Sequence, residues 1–246
     1  MIIEDYFENV QQLLKQVAES QKEPIEKAAR LFADAARRQK RIFAFGCSHA
    51  GLVTQELFYR SGGLAIINPI FAPGLTLDIR PITMTSQMER IPEYGRTIVQ
   101  QNDIQEGDVL LLHSVSGRNP VPVDMALEAA LRGASTICVT NLAYSRGSTS
   151  RHASGKKLFE VCDIVVDNCG CFGDASCRIE GFDQKVAPTS TAVGAVIVNA
   201  IAAGAVERMV ESGETPPVFI SANIEGGDEH NAQVMEKYRG CIRYLL

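Results

Sequence analysis

A buried strand that ends in a polar turn constrains the fold of this chain more than any other feature. Residues 109–112 are four consecutive aliphatic residues, the pattern of a parallel strand that is covered on both faces. The run opens into five residues suited to binding oxygen atoms: Ser114, Ser116, Gly117, Arg118 and Asn119. Two prolines follow and suit the first turn of a helix, whose free N–H groups favour negative charge. The stretch therefore predicts a phosphate site.

An earlier stretch has the same design. Residues 41–45 predict a strand, and the next four residues form a tight turn, with Ser48 and His49 placed just before a helix that begins near Ala50. Serine and glycine after a strand are often only turn and cap residues. Two such turns, however, could face a single ligand, so Ser48 and His49 are further candidates for phosphate contact.

Strands alternate with helices along the chain, and this alternation predicts an α/β fold. We expect a doubly wound, mainly five-stranded parallel sheet flanked by helices, with further strands at 64–67, 136–140 and 162–166. The segment 68–88 and the Gly- and Cys-rich segment 168–185 show no clear periodicity and are expected to be loops. The 246 residues are most simply one domain, with a helical arm (1–40), an α/β core (41–210) and a C-terminal tail and helix (211–246).

The two polar turns resemble the signature turns of the SIS (sugar isomerase) domain. The matching stretches are Phe-Gly-Cys-Ser-His-Ala-Gly at 45–51 and Leu-His-Ser-Val-Ser-Gly-Arg-Asn at 112–119, of which the second is the closer match. The spacing from Ser48 to Gly63 resembles arabinose-5-phosphate isomerases, and the N-terminal arm resembles phosphoheptose isomerases. The resemblance implies a flavodoxin-like fold that binds a phosphorylated sugar, most simply as an aldose–ketose isomerase that needs no cofactor.

The resemblance also suggests the catalytic groups. In SIS isomerases a Ser/Thr-rich helix start faces the sugar, which implies roles for Thr189 and Ser190. Glu180 is the favoured base, with Glu56 as the alternative, because an enediol mechanism needs a carboxylate near C1 and C2. His230 is the favoured acid and His49 the alternative. Two other functions stay open, a sugar-phosphate sensor without catalysis and a lyase resembling the muramic-acid phosphate etherases.

Composition limits the partners. The net charge of −5 argues against nucleic acid, since nucleic-acid binders neutralise phosphates with clustered Lys and Arg. The acidic N-terminus and the lack of a run long enough to span a bilayer predict a cytoplasmic protein with no membrane contact. Apolar residues of the first helix (Phe7, Val10, Leu14) predict a homodimer or homotetramer, and the resemblance implies that a neighbouring subunit completes the site.

Seven cysteines, an odd number without a secretion signal, indicate reduced thiols. Cys169, Cys171 and Cys177 form the one cluster that suggests a metal. The cluster contains no Cys-x-x-Cys and no paired Cys/His half-site, and small cysteines also suit a tight Gly-rich loop. We therefore expect no metal there.

Overall fold

The computed structural model describes residues 1–245, and its centre is a five-stranded parallel sheet in the order β2-β1-β3-β4-β5. The strands are β1 (Ile42–Gly46), β2 (Ile67–Pro69), β3 (Val109–His113), β4 (Ser135–Thr140) and β5 (Ile164–Asp167). Every neighbouring pair in this sheet is parallel. The predicted fold class is therefore confirmed.

Helices cover both faces of the sheet. Their bounds are α1 (Ile2–Ser20), α2 (Lys22–Arg37), α3 (Gly51–Leu57), α4 (Met84–Met88), α5 (Tyr94–Gln101), α6 (Pro120–Leu131), α7 (Leu142–Arg146), α8 (Ser190–Glu211) and α9 (Gly227–Lys237). Alternate residues of β3 divide the core into two layers. Val109 and Leu111 pack with α2, α3 and α8, whereas Leu110 and Leu112 pack with α5 and α6. The continuous aliphatic run in β3 is explained by this burial on both faces.

The strand order reverses direction between β1 and β3. The chain passes from β1 outward to β2 and then returns to β3 on the other side, so the turns after β1 and β3 lead to helices on opposite faces. Gly46 and His113 are the last paired residues of the two strands. In sheets of this kind the ligand crevice lies beyond such carboxyl ends. Both polar turns predicted from the sequence lie at this point.

One helix, α8, is long and apolar enough to cross a membrane by length and composition, with a mean hydropathy of 1.6. A run of that kind was not expected from the sequence. Its buried residues, among them Val193, Ile197 and Ile201, belong to the core layer that also contains α2 and α3. Buried core helices can have the same length and apolar composition as membrane-spanning helices, so α8 is weak evidence for a membrane.

Three local predictions differ from the structure. The segment 68–88, expected to be a loop, ends in the helix α4 (Met84–Met88), whose five residues are too few to show a helical period. The second strand was expected at 64–67, but β2 begins at Ile67, and Leu64 instead forms an isolated antiparallel bridge with Val218. Leu64, Ala65 and Ile66 are buried nonetheless, so the apolar run indicated burial rather than strand pairing. The Gly- and Cys-rich segment expected to be a loop contains an antiparallel hairpin, β6 (Ala175–Ile179) with β7 (Phe182–Pro188). Its strand residues are largely exposed, so they lack the apolar alternation that predicts a strand.

Candidate functional site

The turn after β3 is fixed by hydrogen bonds to the carboxyl end of β4. The Ser114 N–H donates to the Val139 carbonyl (3.1 Å), and the Thr140 hydroxyl donates to the Ser114 carbonyl (2.7 Å). Gly117 has a φ of +58°, and a Cβ there would lie 3.2 Å from the Ser145 hydroxyl oxygen. A side chain at this position would be strained and crowded, so the turn requires glycine.

A run of consecutive N–H groups in this turn has no acceptor among residues 1–245. Those of Ser116, Gly117, Arg118 and Asn119 donate no hydrogen bond to any protein group within residues 1–245. The next residue is Pro120, which begins the twelve-residue helix α6 and has no N–H. The amides therefore lie at the positive end of a helix dipole, an arrangement that attracts anions.

The turn after β1 is short and rigid. It consists of a single 3-10 turn (Ser48–Ala50) before α3, and a Cβ on Gly46 would overlap the carbonyl group of Ala50. Ser48 has a φ of +54°, and its N–H donates to the Leu75 carbonyl (2.8 Å). The neighbouring His49 is exposed, its carbonyl accepts the Gly51 N–H, and its side chain forms no hydrogen bond with another residue among 1–245.

His113 joins the two turns. Its Nδ1 is 3.0 Å from the Ala50 carbonyl oxygen, and burial lowers the pKa of the imidazole. The ring is therefore neutral, and Nδ1–H donates to the carbonyl. Nε2 is buried without a partner among residues 1–245, and a Cβ on Gly194 of α8 would lie 3.3 Å from it. The sequence analysis did not select His113, because a histidine in an aliphatic strand gives no signal of its contact.

Glu89 lies beside both turns and is a site residue that sequence analysis missed. Burial raises the pKa of Cys47 in the first turn, and the nearby charge of Glu89 raises it further. Burial raises the pKa of the Glu89 carboxyl, whereas the Asn119 side chain and the nearby Arg151 and Arg90 oppose the shift. The Glu89 carbonyl accepts a hydrogen bond from the Val121 N–H (3.2 Å) at the start of α6. A partly buried carboxyl group with a raised pKa is thus held against the loop with the free amides.

A cleft of about 1040 Å³ lies between α3 and the segment 71–79. Its lining includes Gln55, Phe58 and Phe71, together with residues on either side of Leu75. Since Leu75 also accepts the Ser48 N–H, the cleft begins beside the first turn. There is space next to the turn after β1 for a ligand larger than phosphate.

The predicted catalytic residues have other positions or contacts within the subunit. Glu180 is exposed at the tip of the β6–β7 hairpin, and the eight residues to Pro188 span about 25 Å as an extended strand. Glu56 pairs with Arg60 and accepts a hydrogen bond from the Asn199 amide (2.8 Å) on α8. The His230 Nε2 is 3.0 Å from the Val218 carbonyl oxygen.

The start of α8 is occupied by a carboxylate from the chain itself. Asp174 accepts hydrogen bonds from the N–H groups of Thr189 (3.2 Å) and Ser190 (2.8 Å) and from the Ser190 hydroxyl (2.6 Å). Thr189 and Ser190 are both buried. The Ser/Thr-rich helix start implied by the resemblance is present, but Asp174 caps it.

The cysteine cluster makes contacts of other kinds. Cys169 lies 3.6 Å from the Ser20 hydroxyl, the Cys171 thiol donates to the Ala175 carbonyl (3.0 Å), and Cys177 accepts from the Asn9 amide (3.4 Å). Among residues 1–245 no group of three or more His, Cys, Asp or Glu side chains could hold a metal ion.

Comparison with known proteins identifies the family. The SIS domain family model matches residues 5–141. A UPF0309 protein of Shouchella clausii is 46% identical over 243 residues, which cover 99% of each chain. The chain therefore belongs to the SIS domain family and, within it, to the UPF0309 proteins.

Solved structures show the same fold at low sequence identity. A phosphoheptose isomerase from Francisella tularensis has a TM-score of 0.55 at 17% identity, covering 82% of this chain and 95% of that one. The Vibrio vulnificus NanR protein, complexed with ManNAc-6P, has a TM-score of 0.50 at 15% identity, covering 96% of this chain and 68% of that one. These similarities confirm the resemblance drawn from the sequence.

Proposed function

We propose that this chain binds a phosphorylated sugar between the turns after β1 and β3. The observation that carries the proposal is the row of four N–H groups from Ser116 to Asn119, which has no acceptor in the described chain and lies at the start of α6. The hydroxyls of Ser114 and Ser116, and of Ser48 across the crevice, are available beside it. This combination of amides, hydroxyls and a helix dipole suits a phosphate group.

We further propose that the bound sugar is isomerised between aldose and ketose forms. Family membership and the fold shared with a phosphoheptose isomerase support this reaction class. The reaction needs a base that moves a proton between C1 and C2, and a base is most effective when its pKa is close to the working pH. Glu89 meets this need, because burial raises its pKa and it adjoins both turns.

A non-catalytic sensor is the second candidate. The NanR protein, whose structure contains a phosphorylated amino sugar, shares its fold with 96% of this chain. Binding alone is common to both functions. Exchange of a sugar proton with solvent distinguishes them, since only an isomerase labilises the C1 or C2 hydrogen.

The binding proposal is tested by calorimetric titration of pentose, hexose, heptose and amino-sugar phosphates. We expect Ser116→Ala to weaken binding roughly tenfold or more, because a hydrogen bond to a charged group contributes about 1.5 to 3 kcal/mol. Ser61→Ala, at an exposed serine after α3, is the control and should bind like the wild type. Equal affinities for the wild type and Ser116→Ala would mean that this loop is not part of the binding site.

The isomerase proposal is tested by following solvent deuterium into the sugar by NMR. Glu89→Gln should keep the affinity of the wild type and lose exchange at C1 or C2. Glu56→Gln, Glu180→Gln and His230→Gln in the same assay test the groups favoured by the sequence. If one of these loses exchange while Glu89→Gln keeps it, the base or acid is that residue. If the wild type binds a sugar phosphate and exchanges no proton, the sensor function is favoured.

A further inference from the structure

Three arginines surround the loop with the free amides and have no ion-pair partner. Arg90, Arg118 and Arg151 form no salt bridge with a carboxylate among residues 1–245. The Nε of Arg118 is buried and has no hydrogen-bond partner in the same part of the chain. A buried guanidinium N–H without an acceptor is costly, so the native state retains it only where something compensates for it.

Two contacts hold Arg151 against this loop. Its Nη1 donates to the Asn119 side-chain oxygen (2.9 Å), and its backbone N–H donates to the Arg118 carbonyl (2.8 Å). Arg90 directly follows Glu89, and the Glu89 carbonyl accepts the Val121 N–H in the first turn of α6. The three cations therefore come from three separate segments that converge on the amino end of α6.

The local charge is not balanced by the protein. Burial and the charges of Arg118 and Arg90 lower the pKa of Arg151, so each of these two cations opposes the positive charge of Arg151. Glu89 offsets part of this charge. The other nearby carboxylate, Asp124, already accepts hydrogen bonds from His152 (2.9 Å) and from the Glu93 N–H (2.8 Å). A chain of net charge −5 thus concentrates positive charge at its phosphate loop.

We propose that Arg90, Arg118 and Arg151 form a second anion site beside the phosphate loop. The ligand is then a sugar with two anionic groups, one phosphate on the amides of Ser116–Asn119 and a second phosphate or a carboxylate on the arginines. Guanidinium groups bind both kinds of anion through paired N–H donors. This inference rests on the proposed function, because it adds a second group to the ligand of the same crevice.

The experiment compares calorimetric affinities for glucose 6-phosphate, glucose 1,6-bisphosphate and 6-phosphogluconate. We expect one or both doubly anionic ligands to bind at least about tenfold more tightly than the monophosphate. The bisphosphate and the sugar acid show separately whether the second anion is a phosphate or a carboxylate. Arg90→Gln and Arg151→Gln should each reduce this ratio, measured within the same variant, toward one.

Arg146→Gln is the matched control, because Arg146 lies on nearby α7 with its guanidinium 6.0 Å from the Phe159 ring centroid. Thermal melting of each variant establishes that it is folded. Equal affinities for all three ligands would overturn the second site and leave the proposed function intact. The same conclusion would follow if the ratio of doubly anionic to monophosphate affinity stayed unchanged in both variants. If none of the three ligands binds, the second site is overturned, and the wider panel of sugar phosphates described above decides the proposed function separately.

Discussion

Arg41 and Asp108 form a buried ion pair at the amino ends of β1 and β3. The Asp108 side chain is 2% exposed, its Oδ2 lies 2.8 Å from Arg41 Nη2, and it also accepts hydrogen bonds from the N–H groups of Arg41 and Gln105. The carboxylate thus holds the two central strands together at the end opposite the polar turns. Removing one partner of such a pair leaves the other charge buried without compensation.

We therefore predict that Asp108→Ala lowers the free energy of unfolding by about 3 kcal/mol or more. Urea denaturation measures this change. Asp103→Asn is the control, because Asp103 contacts the same arginine from a half-exposed position and asparagine tolerates the φ of +52° there, so it should cost less than about 1 kcal/mol. Similar losses for the two variants would mean that burial of Asp108 does not determine its contribution.

The site residues divide into those that the sequence can predict and those that it cannot. Ser114, Ser116, Gly117 and Asn119 are recognisable because they directly follow a strand, so local order fixes their place. Glu89 gives no such signal, since its contact with Asn119 joins positions 30 residues apart across a segment without periodicity. Residues brought together by tertiary packing alone have no pattern in a single sequence.

At the scale of elements, the hairpin β6–β7 is attached to the core through the start of α8. Asp174 lies just before β6 with a φ of +67° and caps the helix that follows β7. The Ser/Thr-rich start of α8 was expected from the resemblance to SIS isomerases. The sequence predicted neither the hairpin nor the residue that caps α8. The hairpin is exposed, and the capping residue Asp174 lies 16 positions before Ser190.

We predict that Asp174→Ala lowers the free energy of unfolding by about 2 kcal/mol, because two N–H groups and a buried hydroxyl at the start of α8 lose a charged acceptor. Thermal and urea denaturation measure the loss. Asp183→Ala, at an exposed position on β7 of the same hairpin, should change stability by less than about 0.5 kcal/mol. A stable Asp174→Ala protein would mean that other groups or water replace the cap.

At the scale of the whole molecule, the alternation of strands and helices was enough to predict the sheet and its polar edge. The strands are buried on both faces, so their aliphatic composition is visible in the sequence. The positions of β2 and the C-terminal segment were harder to predict. Residues 64–66 are buried by a bridge to Val218, which lies more than 150 positions away.

We also predict that the protein is a homodimer or homotetramer. Phe7 on α1 is 63% exposed, and Met1 and Ile3 are also exposed, so the first turns of this helix have an apolar surface that their own subunit does not cover. Light scattering at micromolar concentration should give a multiple of 26.8 kDa. Phe7→Glu should shift the protein toward monomer, whereas Glu8→Gln, at an exposed position on the same helix, should not. A monomeric wild type would contradict the prediction.

The hydrogen bond from His113 to the Ala50 carbonyl has a consequence for binding entropy. It links the last residue of β3 to the turn after β1 with a neutral, buried side chain that has little freedom to move. Both turns are therefore preorganised at a set separation before any ligand arrives. A ligand that contacts both turns does not have to order either of them, so less of its contact energy is offset by lost conformational freedom.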